Sequence, residues 1–333
     1  MKRFIALFLI LAMTLVAHVG CTDAKDESSN DASDGGKTTI RVAGMKGPTS
    51  IGLVGLLDAD EKGEAKNDYE FTLAGTADEI TPKLIKGELD IAAVPANLAS
   101  VLYNNTEGKI QILAVNNLGV LYILAKGEAV ESVEDLRGKT IYATGKGTTP
   151  EYTLNYILSQ NGIDVSSDVT IEYKSEATEV VAAISNEENA IAMLPQPYVT
   201  VAMNKVEGLE IVIDLNEEWK KINPDGAIVT GVIVVRREFA EANPDAIKAF
   251  LDEYKASIEL VNGSAAVGAE LVTKFGIFDN QAVIEKAIPY CNLYYMAGDD
   301  MVKPVNDYLG VLYEQNNKSV GGKLPDDGFF CKP

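Results

Sequence analysis

Histidine is all but missing from this chain: of 333 residues, only His18 carries an imidazole. His18 falls in a segment read below as a cleaved export signal, so the mature protein would have none. A Ser-His-Asp triad, a Cys-His pair, a His general base and a His metal ligand are thereby excluded. Cysteine is nearly as scarce, with three residues. With Cys21 set aside, Cys291 and Cys331 are the only soft ligands left, which leaves no zinc site. Basic runs are lacking too: 29 Lys and Arg stand against 49 Asp and Glu, a formal charge of -20. Without such runs to neutralise phosphates, nucleic acid is not the partner. The acidic excess fits solubility at a cell surface and says little about ligand sign, because salt screens surface charge. Carboxylates are numerous, yet no pair sits in an apolar context that would raise a pKa. The inventory points to a binding protein, not an enzyme, with no cofactor and no metal.

Long apolar runs are limited to one, Phe4 to Val16, too short for a membrane span. It follows Lys2 and Arg3 and stops at Gly20-Cys21, the order of an export signal ending at residue 20. Cysteine directly after the cleavage point resembles the lipobox of bacterial lipoproteins, in which that thiol is acylated. His18 stands where that motif usually has an aliphatic residue, so plain secretion with a chance Cys21 stays open. The expected location is extracytoplasmic, on the cell membrane through a lipid on Cys21. Residues 21–37 are polar and patternless and read as a flexible tether. Cys291 and Cys331 could form a disulfide in such a compartment or remain free thiols.

From residue 38 the chain alternates strand and helix patterns. TTIRVAG, YEFTLAG, DIAAVPA and QILAVNN read as strands, with SIGLVGLLDAD, EITPKLIKGEL and NLASVLYNN as helices between them. VLYILAKG is paired with QILAVNN. A second round gives strands TIYAT, VTIEYKS, NAIAMLP and LEIVIDL, with helices TTPEYTLNYILSQNG, ATEVVAAISNEE and QPYVTVAMNKV. Beyond GVIVV the chain turns mostly helical, and Asn243-Pro244 opens a long helix. The fold class is α/β, with mostly parallel sheets flanked by helices.

Four segments lie where a strand gives way to a helix: Gly47-Pro48-Thr49-Ser50, Pro95-Ala96-Asn97, Gly147-Thr148-Thr149-Pro150 and Pro195-Gln196-Pro197-Tyr198, and Lys46 just ahead of the first could face a ligand. A helix start exposes unpaired N–H groups and the positive end of its dipole. Glycine lets a solute come close, and a hydroxyl adds a directional donor. The same residues also serve as ordinary helix caps. Neither glycine turn has Walker spacing, and no GxGxxG opens a helix, so ATP and NAD are not expected.

AGMKGPTSIGLVGLL, KGELDIAAVPANLASVLYN, ESVEDLRGKTIYATGKGTTPEYTLNYIL, AIAMLPQPYVTVAM and VTGVIVVRREFAEANPDAIKAFLDEY resemble the solute-binding proteins of ABC importers. The likeness is to the branch for sulfonates, taurine, nitrate and thiamine-pyrimidine precursors. It implies a two-lobed type II periplasmic-binding fold, with lobe 1 at 38–121 plus 231–333 and lobe 2 at 122–230. It also implies a solute cleft lined at Thr49, Asn97, Thr148 and Gln196-Pro197-Tyr198, and partner chains that supply the permease and the ATPase. The hinge would fall near Leu121 to Lys126 and Ile228 to Val232. Amino-acid binders of this fold clamp a carboxylate with Arg, but Arg41, Arg137, Arg236 and Arg237 all lie outside the four segments. A sulfonate, or a flat heterocycle stacked on Tyr198 or Tyr152, fits the segments better. Two other readings stay open: an enzyme on the same scaffold working without histidine, and a surface solute sensor.

Overall fold

The computed structural model describes residues 36–333, which leaves the signal and the Cys21 anchor outside the described residues. Residues 37–333 form one compact unit. Its strands are β1 (Thr39–Met45), β2 (Asp68–Ala74), β3 (Ile91–Pro95), β4 (Ile110–Asn117), β5 (Leu121–Lys126) and β6 (Thr140–Ala143). They continue with β7 (Thr170–Tyr173), β8 (Ala190–Pro195), β9 (Glu210–Asp214), β10 (Gly231–Arg236) and β11 (Leu293–Ala297). Between the early strands lie helices α1 (Pro48–Ile51), α2 (Val54–Glu61), α3 (Ala77–Lys86) and α4 (Ala96–Asn105). The second round adds α5 (Thr149–Gln160), α6 (Ala177–Ser185), α7 (Tyr198–Lys205) and α8 (Leu215–Ile222). The helical remainder is α9 (Arg237–Ala242), α10 (Pro244–Gly263), α11 (Ala265–Lys274), α12 (Gln281–Ala287) and α13 (Val302–Gln315).

Two sheets result, in the orders β11-β4-β10-β3-β1-β2 and β7-β6-β8-β5-β9. Each is mixed, more so than the strand–helix alternation implied. β10 runs antiparallel to both β3 and β4, and β5 runs antiparallel to both β8 and β9. The cause lies in the two crossings between sheets: a strand that arrives from the other lobe enters from the cleft end, against its neighbours. For the same reason QILAVNN and VLYILAKG are not partners, because β4 belongs to the first sheet and β5 to the second.

Period-two alternation places the first sheet inside three layers. Ile40, Val42, Ile91, Ala93, Ile233 and Val235 face α10 through Ile247, Phe250 and Tyr254. Ala43, Ala92, Val94, Val232 and Val234 face the other way, into a core with Leu84, Leu102, Tyr308 and Leu309. Each fully buried Val, Leu, Ile or Phe among them contributes about 1.5–3 kcal/mol. That second core continues into lobe 2 through Ile123, Ile141, Leu154 and Met193.

The segment after Gly231 also packs against helices of the second round. Tyr308 of α13 meets Thr153 of α5 hydroxyl to hydroxyl at 3.1 Å, and its ring packs edge-on against Trp219 of α8, centroids 5.4 Å apart. Gln315 donates to the Tyr152 carbonyl at 2.7 Å and Asn316 to the Tyr152 hydroxyl at 2.8 Å. The crossings themselves are residues 118–120 and 223–230. Leu121 to Lys126 is a strand paired on both sides.

Candidate functional site

The four segments singled out from the sequence follow the C-terminal ends of β1, β3, β6 and β8, two in each sheet. Gly47 caps α1 with φ of 135°, in the region that glycine alone enters freely. Ser50 is fully buried and donates a hydrogen bond to the Met45 carbonyl at 2.6 Å, so it holds the turn. Thr49 is buried too, and its carbonyl accepts from Asn116 Nδ2 at 2.8 Å. Lys46 is exposed.

Asn97 stands in the first turn of α4, half-buried next to buried Ala96. Its amide donates to the Ser319 carbonyl at 3.3 Å, and its Oδ1 accepts from Thr149 Oγ1 at 3.2 Å. That second bond joins the start of a lobe 1 helix to the start of a lobe 2 helix, so the two rims touch.

Gly147 and Thr148 are exposed, and Thr148 donates to the Gly145 carbonyl at 2.6 Å. Glu151 turns back to accept the Gly147 N–H, a carboxylate in the first turn where the helix dipole favours it. Tyr152 is 8% exposed and donates to the Gly147 carbonyl at 3.1 Å. It therefore braces the turn. Lys146 lies over the Tyr173 ring, 5.9 Å from its centroid.

Gln196 is 1% exposed and joins Pro197 through a cis peptide. Its Oε1 accepts from the Thr200 hydroxyl at 3.0 Å and the Thr200 N–H at 3.4 Å, while its own N–H donates to Val120 O at 3.0 Å. Among the described residues its Nε2 has no partner. Pro197 is buried and Tyr198 half-buried at the start of α7.

Sequence reasoning missed Asn116 and Asn117. Both are fully buried at the end of β4, beside the first crossing. Asn117 Nδ2 donates to the Cys291 carbonyl at 3.0 Å. Two polar residues closing an apolar strand, QILAVNN, were the available signal.

The described arginines are all engaged elsewhere. Arg41 grips Asp90 with Nε at 2.8 Å and Nη2 at 2.6 Å, and Arg236 Nη2 joins the same carboxylate at 2.9 Å. Burial alone would raise the Asp90 pKa, but the bonds from Arg41 and Arg236 outweigh it and hold the group below its usual range. Arg237 donates to the Gly108 and Gly328 carbonyls, and Arg137 pairs with Asp168. Asp90 and Arg236 lie at the end of the first sheet away from the four segments, as does a surface hollow of about 550 Å³ lined by Ile85, Lys109 and Glu241.

Cys291 and Cys331 are free thiols, both buried, so of the two states left open the structure carries the unbridged one. Burial pushes the Cys291 thiol up to about 12. Among the described residues, no group of three or more His, Cys, Asp or Glu side chains is placed to hold a metal ion. Nor is any helix among them long and apolar enough to cross a membrane.

Comparison with known proteins places this geometry. The model of the NMT1-like family matches residues 59–273. A crystal structure of an ABC transporter protein from Parabacteroides distasonis superposes with a TM-score of 0.75 at 26% identity, covering 89% of this chain and 99% of that one. The periplasmic aliphatic sulphonate binding protein SsuA of Escherichia coli gives a TM-score of 0.72 at 17% identity, covering 89% and 92%. A protein of Brucella abortus (strain 2308) named as a binding protein is 23% identical over 276 residues, 83% of this chain and 79% of its own length. The two-lobed α/β architecture is the one these solved structures share.

Proposed function

The chain belongs to the NMT1-like family, and from that premise we propose that it is the extracytoplasmic solute-binding protein of an ABC importer. The observation that carries the reading is the Asn97–Thr149 bond. Helix starts from two separate sheets face each other across the crossings, which is where a solute touching both lobes would hold them together. Thr49, Asn97, Thr149, Gln196 and Tyr198 line that cleft, with Gly47, Pro48 and Gly147 shaping the turns. The ligand is a small polar solute, in line with the sulphonate named for the E. coli structure or a heterocyclic vitamin precursor. Lobe 1 carries the first sheet and lobe 2 the second, with residues 118–120 and 223–230 as hinges. Cys21 carries the lipid, residues 21–37 tether the domain, and a separate permease and ATPase move the solute.

A thermal-shift screen with sulfonates, nitrate, pyrimidines and flavin precursors tests this. Ligand at about 100 Kd adds about 2.7 kcal/mol of apparent stability, enough to move the melting temperature by several degrees. Turnover of a stabilising compound, without an importer partner, would contradict the reading.

A further inference from the structure

Asn116 and Asn117 are neighbours in sequence, yet both side chains reach Gly231. Neighbours on a strand normally point to opposite faces. Here the register slips: Gly231 pairs with Asn117 and Val232 with Val115, which makes Asn116 the extra residue of a bulge. Bulges re-aim side chains next to functional sites. A methyl group built on Gly231 would overlap Asn116 Oδ1, and would stand 3.3 Å from Asn117 Oδ1 and 2.8 Å from Thr49 Cγ2.

The orientation of both amides is fixed by what their nitrogens do. Asn116 Nδ2 donates to the Thr49 carbonyl and Asn117 Nδ2 to the Cys291 carbonyl. A carbonyl accepts only, so neither amide can be flipped. Both Oδ1 atoms are therefore acceptors, fully buried, with no partner among the described residues. Across the crossing, Gln196 offers one donor, since the Thr200 N–H fixes its Oε1 as the acceptor. The asparagines thus supply two buried unmatched acceptors and Gln196 one unmatched donor, while the fully buried Tyr254 hydroxyl beside Asn116 is also without a partner among the described residues.

An oxyanion offers acceptors only, and two buried carbonyl oxygens repel it. A solute bearing N–H groups matches the pair. We infer that Asn116 and Asn117 form an acceptor pair that takes N–H donors of the solute, so that the ligand presents an amide or amidine N–H at this point and is not a bare sulfonate or nitrate. The inference rests on the solute-binding reading above and narrows its ligand class.

The test uses the mature protein and probes matched in shape: benzamidine against benzoate and benzenesulfonate, and urea against nitrate, each at several concentrations in thermal shift and calorimetry. The expected result is stabilisation by benzamidine or urea. N116A should lose about tenfold or more in affinity for that probe, the scale of one bond to a buried group, while N116D, which keeps an acceptor, restores binding of benzamidine. N116S, a smaller change that keeps an oxygen, serves if N116A does not fold. Stabilisation by the anions alone, or unchanged affinity in N116A, overturns the acceptor pair and leaves the solute-binding reading standing. No stabilisation by any probe overturns both.

Discussion

Thr149 donates its hydroxyl to Asn97 Oδ1 at 3.2 Å, and each residue stands in the first turn of a helix from a different sheet. This bond exists only while the rims touch. Thr149→Val keeps the shape and removes the donor. The touching form should lose about 0.5–1.5 kcal/mol, read as a larger radius of gyration in small-angle scattering of the unliganded protein. An unchanged radius would mean that the contacts of α13 alone set the lobe separation.

The Asp90 carboxylate joins Arg41 of β1 to Arg236 of β10 at the opposite end of the first sheet. Its side chain is 1% exposed, but the two guanidinium groups left by Asp90→Ala are partly exposed, so the loss should be about 1.5–3 kcal/mol, the scale of a hydrogen bond to a charged group. The pH dependence follows from the lowered pKa. The stabilisation is complete above the unfolded value of about 3.9 and is lost as pH falls through the lower folded value. Acid unfolding followed by circular dichroism should begin below about pH 4 in the parent and show no such Asp90 contribution in the variant.

Cys291 is fully buried and its thiol is pushed up to about 12 by burial, while Cys331 is also buried and raised. The thiolate is the reactive species. Alkylation at pH 8 should therefore be slow in the folded protein and rapid at both positions after denaturation. Mass spectrometry of the unreduced protein showing a Cys291–Cys331 bridge would contradict the free thiols.

Most of the fold could be read along the chain, and what escaped has physical causes. The long helix at Asn243-Pro244 announced itself by proline at a permitted first-turn position, and α10 runs from Pro244 to Gly263. Strand β11, LYYMA, passed unnoticed because an edge strand with only Leu293 buried has little apolar alternation to show. Helix α8 hid in LNEEWKKI, where Leu215 and Trp219 are its apolar anchors. The four helix starts were visible as local patterns. That Thr149 meets Asn97, 52 positions away, or that a bulge turns Asn116 toward Gly231, depends on pairing across the sheets and leaves no local trace.

The anchor rests on Gly20-Cys21 after a single apolar run. Cys21→Ser should release the protein into the medium and abolish incorporation of a radiolabelled fatty acid. Membrane association that persists in the variant would remove the lipid from the account.

Gln196 and Thr148 separate a ligand contact from a structural cap. Gln196 is buried, spends Oε1 on Thr200 and leaves Nε2 unmatched among the described residues. Thr148 is exposed and already donates to Gly145. Gln196→Ala removes both ends of the amide and mixes a lost cap with a lost donor. Gln196→Glu keeps the acceptor for Thr200 and deletes only the donor. It should weaken binding of a stabilising solute by about 1–3 kcal/mol while lowering stability by less than Gln196→Ala does. Thr148→Ala should cost about 0.5–2 kcal/mol of stability as a cap and change affinity less than Gln196→Glu. Calorimetric titration of the three variants, with unfolding midpoints alongside, gives both readouts. Equal affinity in the parent and Gln196→Glu would reduce Gln196 to the structural partner of α7 and move the lobe 2 contact to Thr149 or Tyr198.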